Sequence, residues 1–409
     1  LEVFHINNPI LFSDREVSAI NLYTNYLYTY YISSQVYSIQ KLGSFHIIIK
    51  DYIAIMLFYV TTTKNQNNVA IWLFFLTFLT FLMIIIGGLT RLTESGLSMV
   101  DWRPILGIIP PLSNENWLKV FSAYKASPEF IIVNKSMNLD EFKHIFWWEW
   151  FHRFFARFIG IVFILPLIFF VVKKAIPKRL FITLIIIFAF GLFQALVGWW
   201  MVKSGLNDNP YVSQYRLTFH LINALIIFAI LFWTALNSSN NKIIKFYSSN
   251  FSEKIFFFGI ILLFITIISG GFMAGTNAGQ SFNTFPLMNG SIIPDGYIID
   301  DYGLRNIFEN TIAINFNHRW IGSFTFIYIL SFTIYLLLSS KIISTIKSMS
   351  LFAVLFFSSL QFFLGILTLL SNVKISFASL HQSNSVLLLA SLLFAYYQFK
   401  NNANKPNSL

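Results

Sequence analysis

Eight apolar runs, at about 69–88, 145–172, 180–202, 217–236, 255–275, 312–338, 350–370 and 377–399, dominate the sequence. Each is long enough to cross roughly 30 Å of bilayer hydrocarbon as a helix of about 20 residues. The predicted fold class is an all-α polytopic membrane protein with eight transmembrane helices. Composition closes the other route: 56% of residues are hydrophobic, 11% are charged, and 48 Phe are more apolar surface than one aqueous core buries. A water-soluble enzyme is excluded. The sequence has no Cys, which removes disulfides, thiolate catalysis, thiolate-bound zinc and iron–sulfur clusters together. Any redox chemistry must use another carrier.

A net charge of +11 could suit nucleic acid. The cations, however, sit in short loops between apolar runs rather than in one stripe, so membrane lipid is the expected partner and nucleic acid is not. Lys173, Lys174, Lys178 and Arg179 follow the second run, Lys242, Lys245 and Lys254 the fourth, Lys341 and Lys347 the sixth, and Lys400 and Lys405 the last. By the positive-inside rule these positions are cytoplasmic, which puts both termini there. Glu94, Asp101, Glu115, Glu129, Asp140, Asp295, Asp300, Asp301 and Glu309 fall in the two long loops on the other side. Residues 1–68 form an N-terminal extension without sustained periodicity, and its apolar stretch Ile47–Val60 is broken by Lys50-Asp51 and short of a span. The extension has neither transit-peptide nor signal-peptide character. The expected location is the bacterial inner membrane, with the mitochondrial inner membrane as the alternative. A start near Met56 would leave all eight runs intact.

The runs repeat. Gly87-Gly88 closes the first and Gly270-Gly271 sits in the fifth; His152-Arg153 opens the second and His318-Arg319 the sixth. Gln194 to Gly198 in the third matches Gln361 to Gly365 in the seventh, and His220 in the fourth matches His381 in the eighth. These landmarks recur in order at offsets of 183, 166, 167 and 161 residues. The pattern predicts two tandem four-helix bundles related by a pseudo-twofold axis along the membrane normal. The expected domains are the extension 1–68, a first half 69–240, a second half 241–399 and a cytoplasmic tail 400–409.

His152, His220, His318 and His381 stand at the outward ends of the even-numbered spans. A lone helical histidine is more often structural than a ligand, but four at repeat-related depths form a pattern, and ionisable groups inside a membrane mark function. Each half offers two imidazoles from neighbouring helices at one level, which suits axial coordination of a planar metal macrocycle. Zinc would want three or four ligands on one point. Two haem sites, one per half, is the reading. Ala156 and Gly160, at steps of four from His152, and Gly198 and Gly365 are small enough to admit a ring, or else let helices pack. Arg153, Arg157 and Arg319 lie within about a turn of these histidines, where guanidinium groups pair with haem propionates or snorkel to the interface.

The halves differ in one titratable position. Glu149 precedes His152 by three residues, on the same helical face, and Asn315 holds that place before His318. A carboxylate beside a bound macrocycle can take a proton or stabilise positive charge, and an amide cannot titrate. The first half therefore reads as reactive and the second as the holder of a permanent redox haem, unless Glu149 is merely solvated at the interface. Residues 89–143 are too long for a simple connection and carry function on that ground. Asn138-Leu-Asp-Glu141 has the form of a capping box, so the second helix is expected to begin before the bilayer. Phe146, Trp147, Trp148 and Trp150 then make an interfacial aromatic belt, able also to line a cleft.

Four stretches carry a family resemblance: Gly87-Gly-Leu-Thr-Arg-Leu-Thr-Glu-Ser-Gly-Leu-Ser-Met-Val-Asp-Trp102, Phe146-Trp-Trp-Glu-Trp-Phe-His-Arg153, Gly270-Gly-Phe-Met-Ala-Gly-Thr-Asn-Ala-Gly279 with Phe282-Asn-Thr-Phe-Pro-Leu-Met288, and Asn317-His-Arg319. Over about 69–398 the chain resembles the haem A synthase family, in the branch shared by mitochondria and proteobacteria. The resemblance implies an eight-helix membrane oxidoreductase that converts the C8 methyl of haem O to a formyl group by successive hydroxylations, giving haem A for cytochrome oxidase. It implies that His152 and His220 bracket the substrate haem iron, that His318 and His381 ligate the iron of a haem b cofactor, and that Glu149 is the catalytic carboxylate. Haem O synthase, a farnesyltransferase, and cytochrome oxidase assembly factors are the implied partners. One branch of the family has loop cysteine pairs, and this chain has none. The alternative is a b-type cytochrome that exchanges electrons with a quinone and makes no product, which the histidines alone suit as well. Glu149 against Asn315 and the Gly87 to Trp102 stretch favour the enzyme. A transporter would show half-helix breaks, and apart from Pro166 the runs have few.

Overall fold

A computed structural model describes residues 66–101, 106–207, 209–240, 244, 246, 250–339 and 344–403, all within the unit Met56–Leu409. The expectations for Ile47–Val60, a start at Met56, and Trp102, Lys242, Lys245, Lys341 and Lys405 fall outside the described residues. The apolar runs form eight helices long enough to cross a membrane. They are α1 (Gln66–Leu92), α2 (Leu139–Val172), α3 (Lys178–Gly205), α4 (Gln214–Ser239), α5 (Phe251–Gly275), α6 (Thr311–Ser339), α7 (Thr345–Leu370) and α8 (Ile375–Ala403). The protein is an all-α polytopic membrane protein.

α2 starts earlier than its apolar run because of its cap. The Asn138 side chain accepts from the amides of Asp140 and Glu141, at 2.9 and 3.0 Å, and Glu141 Oε2 accepts from the Asn138 amide at 2.9 Å. The resulting helix has 34 residues. At 1.5 Å per residue that is about 51 Å, well beyond the roughly 30 Å of hydrocarbon, so its first turns project on the long-loop side. There Phe142 and Phe146 are buried against Trp117, Phe121 and Tyr124 of a short helix, Asn114–Lys125. Of the expected aromatic belt, Phe146 is thus interior, Trp147 and Trp148 are exposed, and Trp150 stacks on Phe154 with centroids 5.0 Å apart.

Four helices make the centre: α4 packs on α1, α5 and α8, and α8 packs on α1 and α5. The others lie outside, α2 on α1, α3 on α4, α6 on α5 and α7 on α8. Close approach at the centre needs glycine. A Cβ on Gly88 of α1 would meet Gln382 of α8 at 2.1 Å, and one on Gly271 of α5 would meet Thr218 of α4 at 2.7 Å. The outer helices are less alike. α6 packs along α7, whereas α2 and α3 make at most marginal backbone approach and meet through Phe163 and Phe188, stacked at 5.7 Å. That contact lies about 16 Å along α2 from His152.

At the short-loop end the structure corrects one reading. Lys400 is helical and buried, and its Nζ lies 2.7 Å from Glu253 Oε2 of α5, so it is no free tail cation. α8 runs on to Ala403 past the expected boundary at 399. A buried ammonium needs such a partner, because an unpaired charge there would cost several kcal/mol.

Candidate functional site

His152, His220, His318 and His381 each rest on a glycine of the preceding helix. A Cβ on Gly87 would lie 3.6 Å from His152 Nε2, and Cβ atoms on Gly198, Gly270 and Gly365 would lie 3.0, 3.2 and 3.0 Å from Cε1 of His220, His318 and His381. The room these glycines give is taken by the imidazoles themselves. In each Gly-Gly pair the first glycine seats a histidine and the second a central helix.

His318 and His381 face each other with ring centroids 6.4 Å apart and planes at 89°. An imidazole nitrogen sits about 2 Å from a metal it ligates and the ring centre about 1 Å behind it, so rings flanking one ion have centres about 6 Å apart. The separation fits a single ion between them. Among the described residues no three His, Asp or Glu converge as a metal cluster, so an ion between His318 and His381 would have two protein ligands.

The histidines of α4 and α8 are held by matching chains. Gln194 Nε2 lies 3.3 Å from His220 Nε2 and donates to the His220 carbonyl at 3.0 Å, while its Oε1 accepts from Asn223 at 2.6 Å. Gln361 Nε2 lies 3.2 Å from His381 Nδ1, and its Oε1 accepts from Asn384 at 2.9 Å. Both Asn follow their histidine by three positions, one turn along the helix. His220 Nδ1 is buried without a hydrogen-bond partner. A buried ring nitrogen in that state costs about 1–3 kcal/mol unless a bound group takes it.

Glu149 is buried, not solvated at an interface. Its Oε1 pairs with Arg153, and its Oε2 accepts from the Ser98 hydroxyl and the Met99 amide, each at 2.7 Å. Arg153 also donates to the Met99 carbonyl at 3.2 Å. The loop after α1 is thereby fastened to α2. In α6 the same brace is built with an amide: Asn315 donates to the Ala278 carbonyl at 2.7 Å and accepts from Arg319 Nε at 2.7 Å. Arg319 also donates to the carbonyls of Thr284 and Phe282, at 2.6 and 2.7 Å. Arg157 lies one turn beyond Arg153 on α2. Arg91 ties the ends of α1 and α5, donating to the Ala274 carbonyl at 2.6 Å and to Asn277 Oδ1 at 2.8 Å.

A second buried carboxyl sits in the long loop. Tyr124 donates to Glu129 Oε2 at 2.9 Å and accepts from Asn134 at 2.8 Å. Burial lifts Glu129 from its ordinary 4.5 to about 7, against the lowering effect of the Tyr124 hydrogen bond. The Tyr124 hydroxyl is also raised, by burial and then by the neighbouring carboxyl.

The histidine pairs, the two braces and the matching Gln–Asn chains lie within one region of similarity to known proteins. The family-level sequence pattern for the cytochrome oxidase assembly protein family, COX15-CtaA, matches residues 70–393. The chain is 42% identical over 338 residues to the protein named Heme A synthase of Nitrosomonas eutropha, covering 81% of this chain and 94% of that one. It is 42% identical over 342 residues to the Heme A synthase of Wolbachia pipientis subsp. Culex pipiens, covering 82% of this chain and 99% of that one. A third relative of that name, from Agrobacterium fabrum, is 42% identical over 333 residues, 80% of this chain and 88% of its own. The chain belongs to the cytochrome oxidase assembly protein family.

Proposed function

We propose that this protein is a haem A synthase that oxidises the C8 methyl group of haem O to a formyl group, giving haem A for cytochrome oxidase. Family membership and relatives of that name over four-fifths of the chain support the activity. One observation carries the assignment of roles: four histidines are seated on glycines, two of them, His152 and His318, one turn from corresponding braces, and the titratable Glu149 of the first brace is replaced by the amide Asn315 in the second. His152 and His220 bracket the substrate haem, and His318 and His381 hold a haem b cofactor. The 6.4 Å separation of the second pair and the orphaned Nδ1 of His220 suit these roles. Haem b, when bound, supplies a one-electron carrier tuned by its two imidazoles.

Glu149 is the catalytic carboxylate. Arg153, the Ser98 hydroxyl and the Met99 amide each donate to one of its oxygens and together hold the group in place. Hydroxylating a methyl conjugated with a porphyrin spreads positive charge over the ring. A fixed anion one turn from His152 stabilises that charge, and its Oε1 or Oε2 can accept the proton released. Each hydroxylation adds a water oxygen to the carbon and releases two protons and two electrons, the electrons passing to an external acceptor for which the haem b site would serve as conduit; the second gives a geminal diol, which loses water to leave the aldehyde. A guanidinium has five N–H donors. The three bonds of Arg319 and two of Arg153 leave both with donors for a propionate, a role extended to Arg157. The positive-inside loops support cytoplasmic termini; the membrane assigned is the bacterial inner membrane, with the mitochondrial inner membrane as the alternative, and a farnesyltransferase would supply the haem O.

The test is to express the protein, supply haem O and chromatograph the extracted pigments. A formyl haem is expected. Unchanged haem O beside a redox-active haem b would instead identify a b-type cytochrome.

A further inference from the structure

The histidines of α2 and α6 are held unequally. His318 Nδ1 lies 2.8 Å from Ser269 Oγ of α5. The Ser269 hydroxyl proton goes to the Thr266 carbonyl at 2.7 Å, so the oxygen accepts and His318 Nδ1–H donates. In that arrangement Nε2 carries no proton, and its lone pair is free for a metal. Thr266 in turn meets Thr325 of α6 at 2.8 Å, adding a second polar tie between the two helices.

The offsets that superpose Gly87-Gly88 on Gly270-Gly271 and His152 on His318 put Met83, Ile86 and Ile159 where Thr266, Ser269 and Thr325 stand. None of the three offers a hydroxyl. Among the described residues the His152 ring has no hydrogen-bond partner, and a Cβ on Gly87 would lie 3.6 Å from its Nε2. The helices beside it are also looser, since α2 and α3 lack the close packing of α6 on α7.

We infer that Ser269 is the positioning residue that makes the haem at His318 a permanent cofactor, and that Ile86 at the matching place leaves His152 an exchangeable ligand. An enzyme whose substrate and product are both haems needs one site that retains its porphyrin and one that releases it. The inference rests on the two-haem reading above. A partner that orients a metal-ligating imidazole is worth about 10- to 100-fold in affinity, enough to separate the two sites.

The test uses the full chain, purified in detergent after loading with haem O, and follows haem transfer to excess apomyoglobin. Extracted pigments tell haem b from haem O and haem A. In the wild type haem b should leave slowly and the substrate-side haem quickly. Ser269→Ala should speed haem b release about tenfold or more and shift its low-spin electron paramagnetic resonance signal, and Ser269→Thr should restore both. Ile86→Ser should slow release of the substrate-side haem about tenfold. Unchanged release and signal in Ser269→Ala would overturn the assignment, as would a Thr variant that folds but does not restore them. If Ser269→Ala fails to accumulate, Ile86→Ser decides alone, and an unaltered substrate-haem release rate refutes the inference. A wild type that carries no haem b would overturn the two-haem reading itself, an outcome distinct from any change confined to the variants.

Discussion

Glu149 and Arg153 form an ion pair across one turn of α2, and Asn315 and Arg319 repeat the contact in α6 with an amide in place of the acid. The two braces fasten equivalent loops, through Met99 in one and Ala278 in the other. The second brace shows that the architecture does not need a carboxylate. The catalytic role proposed for Glu149 gives the carboxyl group at this position a purpose that the fold alone does not require.

Glu149→Gln should separate the two roles. An amide keeps an acceptor for Arg153, as Asn315 does for Arg319, so the cost in stability should be about 1–3 kcal/mol. Conversion of haem O should fall at least about 100-fold, the usual contribution of a positioned acid or base. Pigment analysis and thermal unfolding of the same preparation check both. Full activity would remove Glu149 from the mechanism.

The glycines beneath the histidines make a graded prediction. Alanine at Gly198 or Gly365 would put a Cβ 3.0 Å from an imidazole carbon, and the ring must move. Gly365→Ala should lower haem b content and Gly198→Ala substrate-haem content, each several-fold. At Gly87 the added carbon would sit 3.6 Å from His152, an ordinary contact, so Gly87→Ala should retain its haem. Haem-to-protein ratios from pigment extracts decide; equal losses at all three positions would contradict the packing argument.

Glu129 gives a pH dependence outside the membrane. Its folded value of about 7 lies above the ordinary 4.5, so the folded state holds the extra proton. Its contribution is fully present below about pH 4.5 and is lost as pH rises through about 7, by about 3 kcal/mol at most. Amide hydrogen exchange over 114–133 should quicken across that window in the wild type and less so in Glu129→Gln. A protection level that stays flat in the wild type would contradict the assignment.

What the sequence disclosed follows from what kind of signal each residue leaves. Eight helices were legible because apolar length alone defines a span, and His152, His220, His318 and His381 because a titratable group in such a run is rare. The Asn138 cap was legible for its local spacing. Gln194 and Gln361 were visible as landmarks, but their hold on the histidines was not, since it depends on which helices adjoin. Ser269, Asn223 and Asn384 left no mark, and Ser98 stood in the Gly87 to Trp102 stretch with no sign of its bond to Glu149. Small polar residues are common in these helices for a local reason, as Thr77 and Thr80 show by bonding the carbonyls of Leu73 and Leu76. Lys400 read as a tail cation because its partner Glu253 is 147 positions away.

The absorption spectrum of the purified wild type beside His318→Ala and His381→Ala tests the paired-imidazole sites most directly. The wild type should show a low-spin haem b spectrum, and either substitution should abolish it while the chain still accumulates in the membrane. A colourless, iron-free wild type, or variants that keep the full haem b spectrum, would contradict it.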